Sequence, residues 1–169
     1  MREFENVGPR SDGPAVVWAG LEHGPALVVV DPSGAARHDD LPATWHAVSE
    51  NYQVAWCRVP ASTRSLEDIE DVLETLSDRR TPVTMVAAGN ACGPALVIAT
   101  QFSDLVEMVL LVDPVGDEPE SPVPTQVVAR SEGGDRDRVE PPLPLGHPDV
   151  VRGVTEAMTA AQAKRPAPG

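Results

Sequence analysis

Four short apolar runs constrain the fold of this chain more strongly than any other feature of its sequence. They lie at 26–30, 53–59, 83–88 and 108–112, and the first reads Ala-Leu-Val-Val-Val without a polar residue. A strand that is apolar at every position is typical of a parallel sheet whose two faces are both covered by helices. Because segments with helical spacing separate the runs, the sequence predicts an α/β fold: a three-layer, mostly parallel sheet with helices on both faces.

Apolar residues recur at helical spacing between these runs and at the end of the chain. The clearest helix opens at Ser65, and its acidic first turns and closing Arg79 and Arg80 match the helix dipole. An apolar helix is also expected over about 95–102. The apolar stripe of the helix from Ser65 is Leu66, Ile69, Leu73 and Leu76. A helix over 41–51 has the stripe Leu41, Trp45 and Val48. A helix from Pro148 has the stripe Val150, Val154, Met158 and Ala161.

Turn residues predict how the sheet begins and where it ends. Two β-rich runs, 15–20 and 26–30, flank a short loop and predict an opening hairpin. A weak last strand is expected at 125–130, whereas the glycines and prolines of 131–148 argue against a further buried strand. We therefore expect a flexible N-terminus at 1–12, a single domain at 13–163 and a disordered tail at 164–169.

Charge and cysteine content limit the classes of partner and compartment. The chain has 26 acidic and 13 basic residues, and its net charge of −13 repels nucleic-acid phosphates and anionic membranes. Cys57 and Cys92 both lie in apolar runs, as the reduced, buried thiols of a cytoplasmic protein do. The polar first residues, and the absence of an apolar stretch of roughly 18 residues, predict neither export nor membrane insertion. We expect a cytoplasmic protein with a small-molecule or protein partner, and homo-oligomers stay open.

The stretch from Val83 to Pro114 resembles a known family. It reads VTMVAAGNACGPALVIATQFSDLVEMVLLVDP, which is a strand, a sharp turn, a buried helix and a next strand ending in Leu-Val-Asp-Pro. This order is similar to that of the α/β-hydrolase family, and the likeness extends over roughly residues 15–163. The resemblance implies a small, lid-less member, since only a short loop at 117–124 stands where many members insert a lid.

The family motif G-x-S-x-G places a nucleophilic serine on the turn between strand and helix. Gly89 and Gly93 match its glycines, Asn90 lies between them, and the resemblance puts Ala91 at the nucleophile position. A methyl group cannot attack a carbonyl. An active site whose triad lacks the nucleophile accelerates the reaction only roughly 10³- to 10⁴-fold over the rate in water. Cys92 lies one residue later, where a catalytic thiol is the alternative to a buried structural cysteine.

The family's oxyanion turn, His-Gly-x-Gly, is also weakened. The resemblance places it at Asp31-Pro32-Ser33-Gly34, which keeps only the last glycine. Pro32 has no N–H to donate, and a carboxylate at Asp31 would oppose a developing oxyanion. The same four residues also have the composition of a plain turn.

Further along, the resemblance implies an acid and a general base at Asp135 and His147. His147 directly precedes Pro148, so a surface residue at a helix entry is the alternative interpretation. The other histidines have no ligand spacing to each other or to a cysteine, so neither a metal site nor a cofactor is expected. No nucleotide-binding glycine motif occurs.

Three hypotheses about function fit these observations. The first is an α/β-hydrolase-like protein without the serine nucleophile that binds a small molecule or a protein and catalyses nothing. The alternative is a divergent hydrolase of esters or thioesters that uses Cys92, or a general-base site formed by His147 and Asp135. An interaction subunit that docks through its sheet edge or the helix bearing Trp45 is a third, weaker hypothesis.

Overall fold

A computed structural model describes residues 16–32, 41–58, 64–115, 122–131 and 143–164 of the chain. The strands are β1 (Val16–Gly20), β2 (Ala26–Asp31), β3 (Gln53–Arg58), β4 (Val83–Ala88), β5 (Val106–Val112) and β6 (Thr125–Ala129). The helices are α1 (His46–Ser49), α2 (Arg64–Asp78), α3 (Cys92–Gln101) and α4 (Pro148–Lys164), and 3-10 turns at Ala43–Trp45 and Gly89–Ala91 lead into α1 and α3.

The described strands form one six-stranded sheet in the order β1-β3-β2-β4-β5-β6. All neighbours pair in parallel except β1, which runs antiparallel to β3. The four apolar runs of the sequence are β2 to β5, and β2, β3 and β4 are buried at every position. The predicted α/β class and mostly parallel sheet are therefore confirmed.

The predicted opening hairpin is wrong. β1 does not pair with β2, because β3 lies between them and Val16 is in register with Cys57. A turn-rich loop shows that the chain reverses direction, but it carries no information about which strand becomes the neighbour. The burial patterns explain the outcome: β2 is buried throughout and pairs on both sides, whereas Val17 is the one buried residue of β1, as at the edge of a sheet.

Helices cover both faces of the sheet, as the sequence predicts. The core on one face includes the apolar stripe of α2, with Ile69, Leu73 and Leu76, and the inner side of α3. The opposite core receives Trp45 and Val48 from the first helical segment, and the residues of α4 that face the sheet are Val150, Val154, Ala157 and Met158. Fully burying one such side chain contributes about 1.5–3 kcal/mol, so the two cores hold the three layers together.

Several predicted bounds shift by a few residues. α3 begins at Cys92 rather than near Ala95, β5 begins at Val106, and the predicted helix 41–51 is a 3-10 turn followed by one α-helical turn. The weak strand predicted at 125–130 is β6, at the far edge of the sheet. The N-terminal segment 1–12 and most of the loop 117–124 lie outside the described residues. So do the side chain of Leu66 and the residues after Lys164.

α2 ends in a Schellman motif. The N–H of Thr81 donates to the carbonyl of Leu76, and the N–H of Arg80 donates to Ser77. Arg80 has φ 53°, the left-handed conformation in which this motif usually holds a glycine. The motif fixes Arg79 as the residue that caps the helix, beside the end of β1.

A close approach between α4 and β6 gives a stability test. A Cβ added at Gly153 would lie 2.6 Å from the carbonyl oxygen of Val128, whereas one at Gly93 in α3 would meet nothing within 4 Å. We expect Gly153→Ala to lower the free energy of unfolding by about 1–3 kcal/mol, because backbone must move to admit the methyl group. Gly93→Ala, the matched control, should leave that free energy unchanged or raise it by up to about 1 kcal/mol. Urea unfolding measures both, and equal stability of the two variants would contradict the close packing of α4.

Candidate functional site

The carboxyl-terminal edge of the parallel strands holds the residues singled out in the sequence. β4 is the fourth strand along the sheet, and it ends at Ala88 in extended conformation. The chain then turns through Gly89–Ala91 and enters α3 at Cys92. This is a sharp strand-to-helix turn of the kind on which hydrolases display a nucleophile.

The strained residue of this turn is Gly89. It has φ 56°, whereas Ala91 has φ −80° and ψ −13°, which is ordinary helical backbone. The sequence motif places the nucleophile position at Ala91, whereas the residue of the turn with a left-handed φ lies two residues earlier. Only glycine adopts a left-handed φ without a steric cost, so a glycine fits here where a side chain would be strained. Asn90 is exposed, Ala91 is buried, and Gly93 is half-buried at the start of α3.

Cys92 lies beneath the turn and not on its surface. It is 3% exposed, and its Sγ is 3.5 Å from the carbonyl oxygen of Ala87 and 3.9 Å from that of Val112. These contacts place the thiol in the core between the sheet and α3. A substrate carbonyl has no access to it in this conformation.

Asp31 belongs to β2 and faces the core. The sequence predicted a turn from this residue, but Asp31 is the last residue of the strand and is fully buried. Its Oδ2 accepts a hydrogen bond of 2.8 Å from the indole Nε1 of Trp56. Pro32 follows the strand, and Ser33 and Gly34 lie outside the described residues. The Asp31 carboxylate is therefore the acceptor for a buried indole N–H, and it does not face an open oxyanion site.

Asp113 is a site residue that the sequence analysis missed. It follows β5 with φ 45°, and its carboxylate is nearly buried. Oδ1 accepts a bond of 2.7 Å from the N–H of Ser131, and Oδ2 accepts one of 2.8 Å from the N–H of Leu143. One carboxylate thus holds both ends of the stretch 132–142. The motif Leu-Val-Asp-Pro marked this aspartate, but only the fold reveals what it binds.

His147 caps the N-terminus of α4. Its Nδ1 accepts a bond of 3.0 Å from the N–H of Asp149, and its carbonyl accepts the first N–H bonds of the helix, from Val150 and Val151. Nδ1 is therefore an acceptor from the backbone in this structure, and Oδ2 of Asp149 lies 3.8 Å from it. A triad histidine has the opposite arrangement, with its Nδ1–H donated to an acid and Nε2 free to accept a proton. Asp135, its predicted partner, lies outside the described residues.

Within the described ranges, no group of three His, Cys, Asp or Glu side chains is arranged to hold a metal ion. No helix of that part of the chain combines the length and apolarity needed to cross a membrane.

The strand order, the two helical layers and the sharp turn after β4 describe a divergent, minimal α/β-hydrolase-like fold. No protein-family model matches the sequence, and no curated protein matches it. An N-formylmaleamic acid deformylase from Pseudomonas putida is similar with a TM-score of 0.40 and 18% identity, over 59% of this chain and 42% of that one. An alpha/beta hydrolase fold protein from Burkholderia ambifaria is similar with a TM-score of 0.38 and 18% identity, over 63% and 43%. The chain thus spans less than half the length of either protein.

The tie formed by Asp113 can be tested by Asp113→Asn. An amide keeps one acceptor oxygen, but its NH2 group faces the second backbone N–H, so one charge-assisted bond is lost. We expect the free energy of unfolding to fall by about 2–3 kcal/mol and the freed amide, Ser131 or Leu143, to exchange its hydrogen faster. Glu74→Gln on the exposed side of α2 makes the same charge change and should be nearly neutral. Equal stability of the two variants would contradict the tie.

Both thiols should be unreactive in the folded protein. Burial, and then the negative charge of Asp68, raise the pKa of Cys57 from 9.0 to about 12, so its thiolate is scarce at neutral pH. A chromogenic disulfide reagent at pH 8 should label neither cysteine of the native protein and both after denaturation in guanidinium. The variant Cys57→Ser isolates Cys92, and its rapid labelling in the native state would show that Cys92 is accessible.

Proposed function

We propose that this chain is a non-catalytic protein of hydrolase-like fold that binds a small molecule or a protein partner. The observation that carries the proposal is the identity of the strained residue after β4. Gly89 has no side chain at all, and in the register expected from the sequence motif the nucleophile position holds the methyl group of Ala91. Neither register offers a nucleophile at the turn.

The other reactive groups at this edge are engaged in structural bonds. Asp31 accepts from Trp56, and the Asp113 carboxylate accepts from two backbone N–H groups. His147 accepts from the backbone of α4 through Nδ1, and Cys92 is buried under the turn. Acyl transfer needs a nucleophile, a base and an orienting acid within mutual reach, and these groups serve the fold instead. The alternative, a hydrolase based on Cys92 or on His147 with Asp135, gains no support from these contacts.

The charge of the chain supports a partner other than nucleic acid. The net charge of −13 on the chain repels a phosphate backbone, whereas it tolerates a neutral, weakly anionic or basic partner. We place this binding role in the cytoplasm, as the reduced state of two buried cysteines suggests. In the third hypothesis, docking through the helix that bears Trp45 loses its anchor because Trp45 is fully buried, and docking through the sheet edge stays a hypothesis.

The test is turnover of an activated ester and an activated thioester by the wild type and by Gly89→Ser, Cys92→Ala and His147→Ala. We expect the wild type to turn over neither compound faster than buffer does, and the same of His46→Ala, a control that removes an exposed imidazole from α1. Gly89→Ser restores a hydroxyl at the strained position, at a cost on the order of 1–3 kcal/mol, and circular dichroism verifies that it folds. It should stay inactive because Nδ1 of His147 accepts the N–H of Asp149, so the ring is not oriented by a hydrogen bond to an acid as a triad histidine is.

Wild-type turnover well above the uncatalysed rate in buffer, retained in His46→Ala and lost in Cys92→Ala or His147→Ala, would overturn the proposal. So would a large gain of activity in Gly89→Ser that depends on His147, because that result would show an acid and base still poised for catalysis.

A further inference from the structure

An open groove lies at the amino-terminal edge of the parallel strands, opposite the Gly89 turn. Because β1 is antiparallel, its last residue, Gly20, pairs with Gln53 at the beginning of β3. The groove lies between this corner, the loop after β1 and the end of α2, and its volume is about 580 Å³. That is within the size range of small-molecule sites.

One wall of the groove carries an arginine held in a fixed position. The Schellman motif sets the backbone of Arg79, and its guanidinium carbon lies 5.5 Å from the centroid of the Trp18 ring. Nη1 of Arg79 donates a bond of 3.1 Å to Oε1 of Gln53. Gln53 is 1% exposed, and its own Nε2 donates a bond of 2.7 Å to the carbonyl of Gly24. Because the amide is locked on its far side, its oxygen orients the guanidinium before any ligand arrives.

The other wall is apolar. Trp18 and Leu21 are each 44% exposed, whereas the other two tryptophans of the chain, Trp45 and Trp56, are fully buried. An exposed indole beside an exposed leucine and a positioned cation offers both an apolar surface and a charge to one small ligand.

We propose that this groove binds a small organic monocarboxylate that carries a flat apolar group. Among the described residues, Gln53 engages one N–H of Arg79, and the planar fork of the guanidinium matches a carboxylate in bidentate geometry. Trp18 and Leu21 contact the apolar part. Glu22 also lines the groove, and with the net charge of −13 it disfavours multiply charged anions such as phosphate. The inference names a ligand for the binding role proposed above and rests on it.

Benzoate is the probe, measured by calorimetry and by protection of Trp18 fluorescence from acrylamide. Trp18 is the exposed tryptophan, so the quenching reports on the groove. Benzamide keeps the ring without the charge, acetate keeps the charge without the ring, and inorganic phosphate tests the multivalent anion. We expect saturable benzoate binding in the millimolar range or tighter, and binding of the other three weaker by about tenfold or more.

Variants separate the two walls. Arg79→Gln should weaken benzoate binding roughly tenfold to a hundredfold, with benzamide unaffected, and Arg79→Lys should recover only part of the loss. Trp18→Ala should weaken both ligands. Arg80→Gln removes the same charge from the next residue, which does not line the groove, and should bind benzoate as the wild type does.

The proposal is overturned by the absence of saturable benzoate binding in the millimolar range, by phosphate binding as tight as benzoate, or by equal losses in Arg79→Gln and Arg80→Gln. Any of these results with ester turnover still absent refutes the groove alone. Turnover lost in Cys92→Ala or His147→Ala refutes the non-catalytic role instead, so the two failures are distinguishable.

Discussion

The edge-to-face contact between Trp45 and Trp56 is the interaction on which one side of this fold depends. The ring centroids are 5.0 Å apart, the planes are at 88°, and both indoles are fully buried. Each N–H bonds in a different direction, Trp56 to the Asp31 carboxylate and Trp45 to the carbonyl of Leu145 at 2.7 Å. The pair therefore joins β3, the end of β2, the first helical segment and the approach to α4. Buried indoles require such partners for their N–H groups, and here the partners come from distant parts of the chain.

Polar groups at this edge make structural hydrogen bonds as well. In a hydrolase the carboxyl ends of the strands present an acid and a base to the substrate. Leaving these groups without structural hydrogen bonds lowers the stability of the fold, and catalysis requires that loss. In this chain Asp31, Asp113 and His147 complete hydrogen bonds of the backbone or of an indole. Polar groups that satisfy their neighbours in this way are the common case in proteins.

The sequence predicted those parts of the fold that depend on local periodicity. Strands buried on both faces and the helical stripes of α2 and α4 are set by which residues avoid water, and this is visible in the order of residues. The neighbour of β1 was beyond reach because pairing is a long-range property. The sequence also could not show which residue of the turn has a left-handed φ, and only the backbone identifies it as Gly89. The hydrogen bonds of Asp113 were also beyond prediction, because one of its partners, Leu143, lies 30 residues away in the sequence.

The tie made by Asp113 also bears on how such a chain changes in evolution. Since Ser131 and Leu143 bond to the two oxygens of one carboxylate, the points at which the stretch 132–142 leaves and rejoins the fold are neighbours in space. A connection whose ends are clamped together can be lengthened cheaply, because each doubling of a flexible loop adds only about 0.6 kcal/mol of closure entropy. The clamp thus makes this position a natural acceptor for inserted sequence, from a few residues to a whole appended module, while the sheet and its two helical layers stay as they are.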